Sequence, residues 1–316
     1  MLNLRNGVPQ GSILGPLLFL IYINDIINVS DKFKFILFAD DTNALCSHYD
    51  LQYLMNCVNN ELPKLIQWFT TNKLSLNLSK TNYIVFRTRK KVIDDSICKL
   101  YIDNHLLERK ATTKFLGIDI DQHLTWDNHI SNIISTVART IGILYKLRDF
   151  VPEHILLLLY NSLILSRLLY CNVVWGRSSK RNIDSILLLQ KKAVRICTGS
   201  QYLANSDPLF NKLRLLKITD ITYMQTAIFM FKLSKGLQPP YFYTIFQKNN
   251  EIHLYNTRSS DNFHLTNPRT TLAQRSIKHN GPDVWHSLPI DIKHRTLISS
   301  FKTVLKRHLL SLYNTQ

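Results

Sequence analysis

The sequence predicts an α+β protein, and two patterns carry that prediction. Short apolar segments with strand-like alternation, bounded by Gly, Pro, Asn and Asp, crowd residues 1–125, whereas apolar residues at helical spacing recur through most of residues 126–316. A composition of 45% hydrophobic and 19% charged residues over 316 positions is that of globular sequence, long enough for one to three domains with a sizeable core.

The first turn is Gly7-Val-Pro-Gln-Gly-Ser12. After it, Leu17–Ile27 reads as a buried helix starting near Pro16, a residue favoured in a first helical turn because its missing N–H would have no partner there. Phe33, Phe35 and Leu37 alternate with Lys32, Lys34 and Ile36, the period of a strand. Thr42–Cys46 reads as the returning strand, so Asp40 and Asp41 fall at the tip of a hairpin. Leu51, Leu54, Val58, Leu62, Leu65 and then Ile66 or Phe69 form a helical stripe. Strands at Tyr83–Phe86, Lys99–Ile102 and Lys114–Ile120 are expected to complete a mixed sheet.

From Trp126 onward the pattern turns helical, with segments at Ile130–Leu147, Pro152–Val174, Ile183–Cys197 and Ile221–Leu233, the last stopping at Gly236 before Pro239-Pro240. Residues 241–316 open on Tyr241-Phe-Tyr243, pass through a Ser-, Thr- and Asn-rich stretch from Asn256 to Thr271, and close on a basic amphipathic helix, Ser299–Leu312. Trp126, His129 and Trp285 are expected as core anchors.

Charge is unevenly spread. Lys and Arg number 39 against 22 Asp and Glu, a net +17. Residues 1–150 carry 17 basic and 14 acidic groups, but residues 151–316 carry 22 and 8. A helical tail with that excess suits a phosphate backbone, because each neutralised phosphate releases counterions; a basic surface with no partner stays open as the alternative. The five cysteines, Cys46, Cys57, Cys98, Cys171 and Cys197, are widely spaced with no Cys-x-x-Cys pair, which argues against a zinc finger or disulfide framework and for small buried apolar side chains. Leu14–Ile23 is too short to span a bilayer, and Ile155–Val174 is interrupted by Asn161, Ser162, Ser166, Arg167 and Asn172, so no membrane association is expected.

Several residues carry candidate chemistry. The adjacent carboxylates Asp40 and Asp41 are hard oxygen donors suited to a divalent cation, although aspartates also occupy ordinary turns. Gly11 permits close backbone approach and Gln10 offers an amide donor and acceptor, though Pro-Gln-Gly also makes a plain turn before a helix. Lys191, Lys192 and Arg195 share a helix whose other face is Leu187, Leu188 and Val194, so one face can pack while the other meets phosphate. Arg87, Arg89, Lys90 and Lys91 suit either nucleic acid or a solvated hairpin tip.

Taken in order, these blocks resemble the reverse transcriptases of non-LTR (LINE-type, jockey-like) retrotransposons. Gly7–Ser12 with Ile13–Asp25 is similar to the family's motif B and Phe38-Ala-Asp-Asp41 to its motif C. Trp68, Asn72–Thr81 and the strand Tyr83–Phe86 resemble motif D, and Phe115–Asp119 resembles the primer-grip region. Gly281-Pro-Asp-Val-Trp285, Leu288-Pro289 and Phe301-Lys302 resemble the C-terminal region, so the likeness covers nearly the whole chain.

The resemblance implies a partial polymerase palm at 1–125, a helical thumb at 126–240 and a basic C-terminal region at 241–316. It implies RNA-directed DNA polymerisation with two Mg²⁺ ions, an RNA template, a DNA primer and dNTPs. Asp40 would be a direct metal ligand and Asp41 a weaker one, Gln10, Gly11 and Ala39 would border the nucleotide and primer end, and Lys80 would protonate the leaving pyrophosphate. Phe115, Leu116 and Gly117 would grip the primer, whereas the residues alone equally allow a plain buried strand there and a solvated lysine at Lys80. The family's first catalytic Asp would precede Gly7, and Met1–Asn6 contain no carboxylate. The chain is therefore expected to be a C-terminal fragment starting at motif B, inactive in polymerisation alone, whose partner is the N-terminal palm and fingers portion of the same polyprotein. A non-catalytic nucleic-acid-binding remnant is the alternative. The family implies an intracellular location, in nucleus, cytoplasm or both.

Overall fold

The structure is a computed structural model that describes residues 11–252 and 262–314. The chain divides into two compact units, Met1–Thr113 and Lys114–Gln316, and the architecture is α+β, with small strand pairs in the first part and helices in the second.

In the first unit, helix α1 (Leu14–Ile23) begins where Gly15 N–H donates to Ser12 Oγ at 3.1 Å, and continues as a 3-10 segment, Asn24–Asn28. The expected burial of this helix is overturned. Leu14, Leu17, Leu18, Leu20 and Ile21 are exposed, while Ile23, with Ile26 beyond it, is buried in the core and Phe19 packs against it half-buried. The reason is that α1 is apolar on every side, so it has no preferred face, and the core of the unit contacts one side only.

Strands β1 (Lys34–Phe38) and β2 (Asp41–Leu45) pair antiparallel from Lys34↔Leu45 to Phe38↔Asp41, leaving a two-residue turn at Ala39-Asp40. Phe33, Phe35 and Leu37 face inward as their alternation predicts. Helix α2 (Leu51–Thr71) is capped by Asp50, which accepts from Tyr53 N–H at 2.6 Å, and it buries Leu62, Leu65 and Phe69 of the expected stripe together with Met55, while Leu51, Leu54 and Val58 are half-buried. Tyr22 of α1 donates its hydroxyl to the Asn72 carbonyl at the end of α2.

The remaining strands are shorter than expected and do not join into one sheet. β3 (Asn82–Tyr83) pairs parallel with β6 (Glu108–Arg109), and β4 (Tyr101–Ile102) pairs antiparallel with β5 (His105–Leu106). The stretch expected as a single strand over Lys114–Ile120 is a hairpin, β7 (Thr112–Phe115) with β8 (Ile118–Asp121). Leu116 and Gly117 take φ of 45° and 80°, and consecutive positive φ values suit the twist of a two-residue hairpin turn.

The second unit is built on helices. α3 (Asp127–Leu147) packs on β8 and on α7 (Lys180–Cys197). The single helix expected over Pro152–Val174 is three, α4 (Glu153–Tyr160), α5 (Ser166–Leu169) and α6 (Asn172–Trp175). A π-helical turn at Asn161–Leu165 joins the first two, and Cys171 at φ 47° breaks the chain before the third. After α8 (Asp207–Lys212) comes the central helix α9 (Ile218–Ser234), which buries residues from Ile218 to Leu233, Ile221, Ala227, Met230 and Phe231 among them. Following α10 (Pro240–Ile245), α11 (Asn249–Ile252) and α12 (Thr271–Arg275), helix α13 (Ile277–Ser287) packs on α9; after α14 (Ile290–Lys293), so does α15 (Ile298–Ser311).

The core of this unit includes Tyr160, Trp175, Phe210, Phe231 and Phe301, with Phe231 stacked on Phe301 at 4.3 Å between centroids. A buried polar cluster inside it is satisfied: Gln190 donates to Tyr160 Oη at 3.0 Å and accepts from Ile218 N–H at 2.7 Å. Near the C-terminus, Tyr313 donates its hydroxyl to Asp220 and accepts from Lys217 N–H at 3.0 Å. His129 and Trp285 are buried as expected, and Trp126 packs against the core half-buried. Of the cysteines only Cys98 and Cys197 are buried; Cys46 and Cys57 are intermediate, and Cys171 is exposed because its left-handed backbone turns it outward between α5 and α6. Among the described residues no helix is long and apolar enough to cross a membrane.

Candidate active site

The β1–β2 hairpin sets the geometry at Asp40 and Asp41. With Phe38 paired to Asp41, Ala39 and Asp40 form the whole turn, and Ala39 takes φ 50°. A left-handed conformation at a residue other than glycine costs about 1–2 kcal/mol, and the twist of a two-residue hairpin turn requires it here. Both aspartates are exposed at the tip, on consecutive residues. Ala39 adds no bulk beside them.

The other sequence-predicted residues of the first unit lie on separate segments. Gly11, the first described residue, has φ 87°, and a Cβ built on it would meet nothing within 4 Å, so the glycine serves the backbone turn. Gln10 lies outside the described residues. Lys80 is exposed on the turn between α2 and β3, and Asn77 shapes that turn: its carbonyl accepts from Lys80 N–H at 3.1 Å and Thr81 Oγ1 at 2.9 Å, while its side chain accepts from Ser79 Oγ at 2.7 Å. Farther on, Arg87 donates to the Lys91 carbonyl at 2.6 Å, closing the basic turn that carries Arg89 and Lys90.

In the second unit, Phe115 and Leu116 are half-buried and Gly117 is exposed. Leu116 and Gly117 are turn residues rather than the interior of a strand, and Tyr170 holds them. Its hydroxyl donates to the Leu116 carbonyl at 2.6 Å, and its ring lies 3.5 Å from where a Gly117 Cβ would stand. Nothing in the sequence links positions 116 and 170, since the partner is 54 residues away and sits at the break between α5 and α6.

On α7, Lys192 is exposed and Lys191 is half-buried, while Arg195 donates Nε to the Ala204 carbonyl at 2.8 Å. Leu188 is corrected: it is 67% exposed rather than packed, because the buried stripe runs through Ile183, Ile186, Gln190, Ala193 and Val194, and Leu188 falls off it. Sequence reasoning also missed Asp121, which accepts from His123 N, Thr125 N, Thr125 Oγ1 and Trp126 N at 2.8–3.0 Å and so shapes the entry to α3.

As donors, the two aspartates fit a hard divalent cation, which prefers oxygen. As a set they are incomplete: among the described residues no group of three or more His, Cys, Asp or Glu is placed to hold a metal ion.

Comparison with known proteins finds the same likeness. Residues 2–120 match the reverse transcriptase (RNA-dependent DNA polymerase) family. More particularly, the chain resembles the enzymes of non-LTR retrotransposons. It is 24% identical over 229 residues to a probable RNA-directed DNA polymerase from the transposon X-element of Drosophila melanogaster, covering 69% of this chain and 24% of that protein. It is 26% identical over 224 residues to the RNA-directed DNA polymerase from the mobile element jockey of the same species, covering 68% and 24%. A probable RNA-directed DNA polymerase from transposon BS is 26% identical over 252 residues, covering 73% and 26%. The chain thus spans about a quarter of the length of the curated relatives it matches. No solved structure matches. Reverse transcriptases as a family use divalent metal ions, which agrees with the donor chemistry of Asp40 and Asp41.

Proposed function

We propose that this chain carries part of the catalytic centre of an RNA-directed DNA polymerase, which copies an RNA template by adding dNTPs to a DNA primer. The observation that carries the reading is the β1–β2 hairpin, whose two-residue turn presents Asp40 and Asp41 together at an exposed tip within the matched segment. Residues 1–125 would serve as part of the palm, 126–240 as the thumb and 241–316 as the basic C-terminal region.

In the reaction the primer 3′ oxygen bonds to the α-phosphorus of the dNTP, and the bond from that phosphorus to the oxygen bridging to the β-phosphate breaks. Asp40 and Asp41 would hold Mg²⁺ through carboxylate oxygens, Asp40 directly and Asp41 more weakly. Bound there, Mg²⁺ supplies activation of the attacking hydroxyl and charge neutralisation on pyrophosphate. Lys80, exposed on its turn, would give a proton to the leaving pyrophosphate. Gly11, and Gln10 beside it, would allow the nucleotide close to the backbone, and Ala39 would leave room for the primer end. The Phe115–Gly117 turn would position the primer, and Lys191, Lys192 and Arg195 would meet phosphates. Location in nucleus or cytoplasm accords with the same reading.

Two carboxylates are fewer than a pair of bridged metal ions needs, so the centre requires a further donor beyond these. The test is Mg²⁺-dependent primer extension by the 316-residue chain, alone and mixed with a polypeptide supplying the preceding palm and fingers sequence of a relative. Extension is expected only in the mixture and only with Asp40 intact. Extension that survives Asp40→Ala would refute the assignment. A second reading, a nucleic-acid-binding module without catalysis, is favoured by the basic excess of residues 151–316. It predicts template-primer affinity that falls steeply with salt, with no extension in the mixture.

A further inference from the structure

We infer that the second unit contains a cradle for a single-stranded nucleotide segment, in the cavity where the C-terminal ends of α3 and α7 meet the start of α4. This rests on the reading of the chain as polymerase sequence that works on nucleic acid. The cavity has a volume of about 590 Å³, within the range of small-ligand sites. It is room for one nucleotide, and too little for a duplex.

Its lining combines the two components that sequence-tolerant single-strand sites use, aromatic rings and cations. Tyr145 and Tyr202 both line it, and they are 53% and 75% exposed. Rings of that size left in water on one face form a surface on which bases stack. Arg148 lies 4.2 Å above the Tyr145 ring, which fixes the ring and presents a guanidinium plane that can extend the stack.

The charges sort themselves. Asp149 is engaged by Arg148 at 3.4 Å, and Glu153 is held by Lys212 at 2.6 Å. Arg195 is tied through Nε to the Ala204 carbonyl. Lys192 lines the cavity as an exposed cation and is the natural phosphate contact. Thr198–Ser200, which also line the cavity, follow the C-terminal end of α7, closed by Ser200 N–H donating to the Arg195 carbonyl at 3.0 Å. A helix C-terminus carries partial negative charge. That end of the lining disfavours phosphate, which leaves Lys192 as its contact.

The test is fluorescence anisotropy with the full chain, using a labelled twelve-nucleotide single strand and a duplex of the same length, without metal or dNTP. Tyr202→Ala and Tyr145→Ala are expected to weaken single-strand binding by roughly 5- to 150-fold each, the effect of losing one stacking partner, with duplex binding unchanged. Lys192→Ala is expected to reduce the salt slope for the single strand by about 0.7, one phosphate contact. Thermal unfolding of the variants, whose substituted side chains are exposed, checks that the fold is retained. Unchanged single-strand affinity in both tyrosine variants, or an equal fall for duplex, would overturn the inference. Displacement of the strand by nucleoside monophosphate at millimolar concentration would assign the cavity to free nucleotides and overturn it also. Because binding is read without catalysis, failure here leaves the primer-extension test standing, and failure of that test leaves this one standing.

Discussion

Asp121→Ala should destabilise the second unit by about 3 kcal/mol, a figure set by the hydrogen bonds its carboxylate collects. That carboxylate is 9% exposed and accepts four, from His123 N, Thr125 N, Thr125 Oγ1 and Trp126 N. A hydrogen bond to a charged group contributes about 1.5–3 kcal/mol, and the bonds share one acceptor group and do not add fully. Truncation would also leave three backbone N–H groups without that acceptor, in a loop already carrying left-handed backbone at Leu124 and Trp126, φ 53° and 67°. For a unit of this size about 3 kcal/mol corresponds to a melting temperature lower by roughly 6–12 °C. Asp121→Asn, which keeps one oxygen acceptor and loses the charge, should fall between the two. Burial pushes the Asp121 carboxyl up, but the bonds from Trp126, His123 and Thr125 outweigh it and hold it below the ordinary value. Because the folded value is depressed, the stabilisation is present above the ordinary value of 3.8 and is lost as pH falls through the folded one. Urea denaturation of the three proteins at pH 7 and in mild acid reads all of this. A loss below about 1 kcal/mol for Asp121→Ala, or equal losses for the two variants, would refute the reasoning.

Gly117→Ala should cost about 1–2 kcal/mol in the same denaturation assay, from the left-handed backbone alone; the new Cβ would meet the Tyr170 ring at an ordinary 3.5 Å, so a much larger loss would show that the turn is crowded. Burial holds His129 below its ordinary 6.5, against the opposing pull of Asp119, so its contribution is present above 6.5 and lost as pH falls below it. His129→Phe, which keeps a ring against Trp175, should flatten the fall in stability below that pH, and an unchanged pH profile would contradict the assignment. On α1, Ile21→Glu should leave stability within about 0.5 kcal/mol while reducing self-association in sedimentation velocity, because that side chain is 67% exposed.

What could be read from the sequence was whatever local periodicity decides. The alternation from Phe33 to Leu37 gave the hairpin and so the place of Asp40 and Asp41, and apolar recurrence located α2, α3, α7, α9 and α15, with ends displaced by up to about three residues because first and last turns are set by caps rather than by the stripe. Burial of α1 was not legible, since an all-apolar helix looks the same whether or not something covers it. Nor was the turn at Leu116-Gly117, because apolar residues on both sides hid a change of direction that only the backbone angles and Tyr170 reveal. Asn161–Leu165 and Cys171 divided a helix that hydrophobicity alone reads as continuous. The cavity between Tyr145 and Tyr202 depends on three helix ends meeting, and no window of sequence contains them.

The two-residue turn at Ala39-Asp40 has a consequence for how copies of such a sequence can drift. Side chains alternate faces along a strand, so inserting or deleting one residue between Phe38 and Asp41 would exchange the inner and outer faces of a strand or open the pairing. Substitutions there act one side chain at a time, whereas a single-codon change in length acts on the whole hairpin. Among diverging copies, the length of this segment should therefore outlast its composition, including in copies whose aspartates have already been replaced.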